Sequence, residues 1–277
     1  MNTPQRPVLR YHGGKWKLAE WLISHMPPHR IYVEPFGGGG SVLMRKPRSY
    51  AEVYNDAWGE VVNVFRVLRN PDQATQLCLD IELTPFAREE FAASYKRGDD
   101  PVEEARRTIL RSFAGFGSGA VSRGHVTGFR ANSNRSGTTP ARDWRNYPSH
   151  IPAFVERLQG VVIENRDAAD IIKQHDTPAT LFYVDPPYPH STRNVSRASG
   201  VYAVEMNDEQ HTRLAEVLHA VVGMVMLSSY DSEMYTGLYK GWTRIDRHAH
   251  ADGARDRVEV LWLNAACADT QRQQRLA

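Results

Sequence analysis

Asp185-Pro186-Pro187-Tyr188 follows the apolar run 181–184 directly, and Pro189 comes next. Three prolines in five residues remove backbone donors and fix φ, so the segment reads as a stiff turn. If 181–184 is a central strand, the turn stands at the carboxyl end of a sheet, where open α/β folds bind ligands. The chemistry that suits such a turn is methyl transfer to an exocyclic amine. The lone pair of that amine is delocalised into its ring, so it is a poor nucleophile and needs acceptors for its hydrogens. The Asp185 carboxylate and a backbone carbonyl of the Pro186-Pro187 turn can accept both, and Tyr188 can stack on a base rotated out of a duplex. A sulfonium donor is already activated, so neither a metal nor a covalent intermediate is required. The plainer alternative is a rigid proline turn with an Asp helix cap and a buried Tyr; the placement after a buried strand argues against it.

Glu34-Pro35-Phe36-Gly37-Gly38-Gly39-Gly40-Ser41 lies between a strand-like and a helix-like run. Glycines there let backbone approach a ligand with no Cβ in the way. The run fits neither a P-loop nor G-x-G-x-x-G, and alone it reads equally as a plain turn. Asn55-Asp56 ends the next strand-like run about 20 residues on, where doubly wound sheets place the acid that receives the ribose hydroxyls of a nucleoside. The competing reading is a solvated turn Asp or a helix N-cap. Tyr11-His12-Gly13-Gly14-Lys15 could wrap a cofactor that carries a carboxylate, or could be ordinary capping.

These motifs need elements to hold them. Leu18, Trp21, Leu22 and Met26 sit at helical spacing and Pro27-Pro28 ends the run, so 15–26 reads as a first amphipathic helix. Strand-like runs fall at 31–33, 51–54, 161–163, 181–184, 222–227, 242–245 and 258–263, with helical patterns at 58–68, 168–174 and 208–221. The alternation predicts an α/β fold, a Rossmann-like doubly wound and mostly parallel sheet with helices on both faces. The last two strands lack a helix-length spacer and should form an antiparallel hairpin. Residues 72–115 read as mostly helical, and 115–148 as a Gly-, Ser-, Asn-, Thr- and Arg-rich stretch without helical period. Residues 72–158 are therefore read as an insertion between 1–71 and 159–277. Residues 270–277 read as a polar, frayed tail.

The net charge of +2 conceals an asymmetry. Residues 106–145 hold eight arginines (106, 107, 111, 123, 130, 135, 142 and 145), no lysine and one acid, Asp143, a net +7 that leaves about −5 elsewhere. His125, Phe116, Phe129 and Trp144 share this block, which points to a phosphate-rich partner. Arg106, Arg107 and Arg111, at helical spacing, read as either a solvated face or phosphate clamps. Apolar residues at 41% and charged residues at 24% argue against wholesale disorder. No apolar run approaches the ~20 residues that cross a bilayer, and residues 1–30 lack a signal-peptide pattern, so no membrane association is expected. Cys78 and Cys267 fall outside any ligand spacing, which argues against a disulfide framework and a zinc site.

Together these segments resemble the Dam-like (alpha-group) DNA adenine methyltransferases, whose order is cofactor loop, target-recognition insertion, catalytic turn. The resemblance rests on residues 10–15, 34–41, Asn55-Asp56, Asp167, 185–188 and 257–262, and so covers nearly the whole chain. It implies S-adenosylmethionine as methyl donor, no metal, double-stranded DNA as partner, and Asp185, Pro186, Pro187 and Tyr188 as the catalytic turn. Tyr11 and Lys15 would contact the methionine part and Asp56 the ribose. Glu34, Phe36 and Gly38 would line the cofactor loop, Asp167 would bind the cofactor adenine amine, and Asp185 would border the same site. The insertion would be a mainly helical target-recognition domain with 115–145 as its base-reading hairpin and loops. Arg123, Arg130 and Arg135 are its expected DNA contacts, because the arginine fork pairs with guanine or sits on phosphate. A monomer in the cytoplasm of a bacterial cell or phage-infected host is expected.

Two departures stand out: Trp is more usual where Tyr11 stands, and Phe often follows the acid where Ala168 stands. Enzymes that methylate RNA adenine or protein glutamine more often carry Asn in place of Asp185, so the Asp and the Arg-rich insertion favour DNA. Cytosine's amino group would be served by the same acceptors. A non-catalytic DNA-binding module on this scaffold is the rival from another class, and the intact Asp185 and Asp56 speak against it.

Overall fold

The computed structural model describes residues 3–121, 126–132, 137–189, 204–250 and 256–276. Among them, strands Ile31–Glu34 (β1), Ala51–Asn55 (β2), Val161–Glu164 (β3), Thr180–Val184 (β4), Met224–Tyr230 (β5), Thr243–His250 (β6) and Asp256–Leu263 (β7) form one sheet in the order β3-β2-β1-β4-β5-β7-β6. The first five are parallel; β7 runs antiparallel to β5, and β6 to β7. The doubly wound α/β expectation holds, including the antiparallel closing pair. Because β1 lies between β2 and β4, the chain reverses direction across the sheet there, and the loops after β1 and β4 leave a crevice at their carboxyl ends.

Every residue of β4 is buried, as a central strand covered on both faces must be. Its side chains alternate between two cores: Leu181 and Tyr183 face one, Phe182 and Val184 the other. The first core takes Leu22 of Ala19–Ser24 (α1), Leu43 of Ser41–Arg45 (α2) and Phe65 of Gly59–Arg69 (α3). α1 is shorter than the expected 15–26. Residues 11–18 instead form turns closed by Gly14 N to Tyr11 O and Leu18 N to Lys15 O, which turn Lys15 inward to 5% exposure.

The 72–158 region folds as Pro71–Leu83 (α4), Arg88–Ala93 (α5), Pro101–Ala114 (α6), Pro140–Arg145 (α7) and Ile151–Leu158 (α8). Asn70, Asp100 and Thr139 each cap a helix whose first residue is proline, where the missing N–H costs nothing. Asn70-Pro71 therefore starts α4 as well as stopping α3. α7 lies inside the stretch that shows no helical period. Ile109 and Phe113 of α6 join the same core as Phe65 of α3, so residues 72–158 pack onto the sheet's helical layer.

The opposite core takes Ile171 and Ile172 of Ala168–Gln174 (α9), Leu214 and Leu218 of Asp208–Ala220 (α10) and Tyr235 of Glu233–Leu238 (α11). The expected frayed tail is instead the body of a closing helix, Ala265–Leu276 (α12). Asn264 starts it: its Oδ1 accepts from Cys267 N and from Val225 N on β5, both at 3.0 Å, and Cys267 and Ala268 are buried.

The structure assigns Arg106, Arg107 and Arg111 to neither reading given above. Arg106 forks onto Glu103 at 2.6 and 2.7 Å and reaches Glu90 at 3.2 Å, and Arg107 donates to Glu103 at 2.6 Å. Arg111 is fully buried; it donates to Glu60 at 2.8 Å and to the carbonyls of Ser94 and Val121. Their acids lie outside the 106–145 window, so the segment's net charge overstated what is available to a partner.

A second buried network ties α8 to the sheet. Glu52 of β2 accepts from Arg157 at 2.6 and 2.9 Å and from Lys46 at 2.7 Å, all three side chains being under a tenth exposed. Burial alone would raise the Glu52 carboxyl; the hydrogen bonds and charges of Arg157 and Lys46 overcome it and hold it below its usual range. Removing the shared anion would strand two buried cations, so Glu52→Ala should cost about 3–5 kcal/mol in urea unfolding. A loss under about 1 kcal/mol, the scale of an exposed pair, would contradict the arrangement.

Candidate active site

Tyr11, Lys15, Glu34, Phe36, Gly38, Asp56, Asp185, Pro186 and Pro187 line one cavity at the carboxyl ends of β1, β2 and β4. Nearly all the residues expected of a cofactor site are thus brought together. Trp58, Tyr183 and Met206 also line it and carried no signal in the sequence.

The glycine loop after β1 is shaped by Tyr54 of β2. Its hydroxyl donates to Gly38 O at 2.7 Å, its ring stacks on Phe65, and a Cβ at Gly37 would fall 2.2 Å from that ring. Gly38 has φ +47°, a left-handed conformation that only glycine adopts cheaply. Asp56 fastens the loop: Oδ2 accepts from Gly38 N and Oδ1 from Trp58 N, both at 2.8 Å. Burial raises the Asp56 carboxyl, and these two amides counter the rise. Buried Asn55 joins three strand ends, donating to Pro35 O at 2.9 Å and Arg166 O at 3.1 Å and accepting from Arg166 N at 2.9 Å.

Glu34 ends β1 and is 2% exposed; its Oε2 accepts from Leu43 N at 3.2 Å, in the first turn of α2, and from Tyr32 Oη at 3.3 Å. Burial first, and the Asp185 charge second, push its carboxyl up to about 8. Asp185, at the end of β4, is raised by burial and pulled back chiefly by the Lys15 ammonium, 3.0 Å from Oδ1. Lys15 also donates to Gly13 O at 2.8 Å, which seats the 11–15 turn against the Asp185-Pro186-Pro187-Tyr188 turn.

Tyr188 is placed otherwise than stacking on a base requires. It is 3% exposed and not among the lining residues; Lys15 Nζ lies 4.8 Å from its ring centre, and Tyr230 packs edge-on at 4.5 Å. Its hydroxyl stands between Asp185 Oδ1 at 3.2 Å and Glu259 Oε2 at 3.3 Å. Asp167 is likewise outside the lining, an exposed residue whose Oδ1 caps α9 through Ala169 N at 2.8 Å. Its loop still adjoins Asp56, because Asn165 Nδ2 donates to Asp56 O at 2.7 Å.

Within residues 72–158, Gly115 and Phe129 pair antiparallel, with Phe116 N to Gly128 O and Arg130 N to Ala114 O at 2.8 Å. Arg130 is half-buried and donates to Phe113 O at 3.0 Å, whereas Arg142 and Arg145 are exposed. Arg123 and Arg135 lie outside the described residues. Among the described residues no cluster of His, Cys, Asp and Glu has the make-up of a metal site, and no helix is long and apolar enough to cross a membrane.

Glu34 gives a pH test. Its folded form keeps a proton to about 8 that the unfolded chain, with an ordinary value of 4.5, releases earlier, so its contribution to stability is lost as pH rises through that window. Glu34→Gln cannot ionise. Its urea midpoint should gain on the wild type's between about pH 5 and pH 8; a constant difference would contradict the burial of a carboxyl here.

Residues 11–251 match the family described as D12 class N6 adenine-specific DNA methyltransferase. The DNA adenine methylase of Escherichia coli strain K12 is 23% identical over 250 residues, covering 85% of this chain and 84% of its own. The DNA adenine methylase of Salmonella typhi is 24% identical over 256 residues, covering 87% and 84%. The type II methyltransferase M.MjaIII of Methanocaldococcus jannaschii is 22% identical over 267 residues, covering 86% and 89%. The family match spans the glycine loop, residues 72–158 and the Asp185 turn, and the chain belongs to the D12 class of N6 adenine-specific DNA methyltransferases.

Proposed function

We propose that this chain transfers a methyl group from S-adenosylmethionine to the exocyclic amine of an adenine rotated out of duplex DNA. The observation that carries the reading is that one cavity holds both the glycine loop with its acid, Asp56, and the Asp185-Pro186-Pro187 turn. The residues present fit the donor. Gly37 and Gly38 bring bare backbone to the cavity, Asp56 offers carboxylate oxygens to ribose hydroxyls, and Lys15 and Tyr11 flank the place of a carboxylate. Glu34 and Asp185 suit the ammonium and sulfonium, and a cation beside Glu34 would favour its ionised form. Asp167 would meet the adenine of the donor beyond Asp56, on the loop that Asn165 ties to it.

When bound, S-adenosylmethionine supplies an activated methyl on sulfur. Asp185 and a carbonyl of the Pro186-Pro187 turn accept the amine hydrogens, which concentrates electron density on nitrogen. The nitrogen must then shed a proton, and Asp185, raised by burial, is suited to take it. The two prolines hold the acceptors in place because their φ is fixed.

We read 72–158 as the target-recognition domain and 1–71 with 159–277 as the catalytic domain. Arg123, Arg130 and Arg135 are its DNA contacts in this reading, and duplex DNA is the partner.

Tritium from labelled S-adenosylmethionine should enter unmethylated duplex DNA, and Asp185→Ala should slow this at least about 100-fold. Equal transfer by a folded Asp185→Ala variant would sink the assignment. Alanine at Arg123, Arg130 or Arg135 should weaken DNA binding. A base reader would cost about 1–3 kcal/mol and relax recognition at one position, while a phosphate contact would reduce the salt slope by about 1. Unchanged affinity and salt slope in all three variants would exclude them as contacts.

A further inference from the structure

Glu259 is a carboxylate on the wrong face of its strand. β7 alternates, with Val258, Val260 and Trp262 toward one core and Leu261 and Leu263 toward the other, and Glu259 shares the side of the two leucines. It is 9% exposed, and burying a carboxylate there costs free energy unless a partner compensates. β7 sets Glu259 opposite Tyr230 of β5, and Tyr230 packs edge-on against the Tyr188 ring. Glu259 Oε2 is thereby 3.3 Å from the Tyr188 hydroxyl, across 71 residues of sequence.

That hydroxyl has one proton and two carboxylates within reach, Asp185 Oδ1 at 3.2 Å and Glu259 Oε2 at 3.3 Å. Asp185 Oδ1 also meets the Lys15 ammonium at 3.0 Å. A phenol that donates to Asp185 draws electron density from the oxygen that must accept a substrate hydrogen. A phenol that donates to Glu259 leaves that oxygen to the substrate and still anchors the turn.

We propose that Glu259 is a positioning residue for methyl transfer, the acceptor that takes the Tyr188 hydroxyl off Asp185 when substrate enters. The proposal rests on the methyltransferase reading above. The proposed effect passes through the Tyr188 hydroxyl, which makes it separable from a packing role.

The test is a double-mutant cycle on the full-length protein, with kcat and KM measured for wild type, Glu259→Ala, Tyr188→Phe and the pair. Glu259→Ala should lower kcat about tenfold, the effect of one lost hydrogen bond, with KM for both substrates nearly unchanged. It should add nothing in the Tyr188→Phe background. Glu259→Gln, which keeps an acceptor oxygen and the shape, should retain most of the activity and remains informative if the alanine variant does not fold. Additive losses, a glutamine variant as slow as alanine, or unchanged kcat in Glu259→Ala would overturn the proposal. The same cycle read by urea unfolding separates the two readings. Coupling between positions 188 and 259 without methyl transfer by the wild type would refute the function but not the hydrogen bond. Transfer by the wild type with additive unfolding and kinetics would refute Glu259 alone.

Discussion

The Lys15 ammonium against the Asp185 carboxylate is the contact on which the rest of the site depends. Parallel strands β1, β2 and β4 end side by side, and each ends on or next to an acid: Glu34, Asp56 and Asp185. Burial disfavours the charged form of all three, and for Glu34 the neighbouring Asp185 charge raises the carboxyl further. Without a cation the cluster would resolve by taking up protons, and a protonated Asp185 has lost acceptor capacity. Lys15 counters this where it matters, 3.0 Å from Asp185, while Glu34 is left to rise to about 8. The turns over residues 11–18 of the amino-terminal segment deliver that ammonium.

The same economy of charge governs residues 72–158. Arginines that read as a surface for phosphate prove in part to be internal struts: Arg111 crosses from α6 to Glu60 of α3, and Arg106 joins α6 to Glu90 of α5. Fully paired and desolvated guanidinium groups hold the helices together and offer little to an outside anion. The exposed Arg88, Arg97, Arg142 and Arg145, and the half-buried Arg130 beside the Gly115 to Phe129 pairing, are among the arginines that the described part of this region leaves facing outward.

Most of the sheet was legible because its strands carry apolar runs stopped by turn formers, and β4, buried throughout, leads straight into prolines, whereas the polar β6, Thr243–His250, was legible only over 242–245. The glycine loop, Asp56 and Asp185 were legible because strand-end positions can be counted along the chain. What could not be read is what depends on partners far away. The carboxylates that neutralise Arg106 and Arg111 lie on other helices, the cap that starts α12 is shared with β5, and Trp58 and Met206 enter the cavity with no motif of their own. Tyr188 is the sharpest case: its place in the turn was plain, but its burial between Asp185 and Glu259 depends on β7, a strand paired from the far end of the chain.

Lys15 pulls the Asp185 carboxyl back toward its ionised form against burial, which remains the larger effect. A carbon-13 NMR titration of the Asp185 carboxyl in the wild type and in Lys15→Met tests it directly. The account predicts that the Asp185 titration moves to higher pH when the ammonium is removed, because burial then acts unopposed by its main counter-charge. An Asp185 carboxyl that titrates at the same pH in both proteins would contradict it.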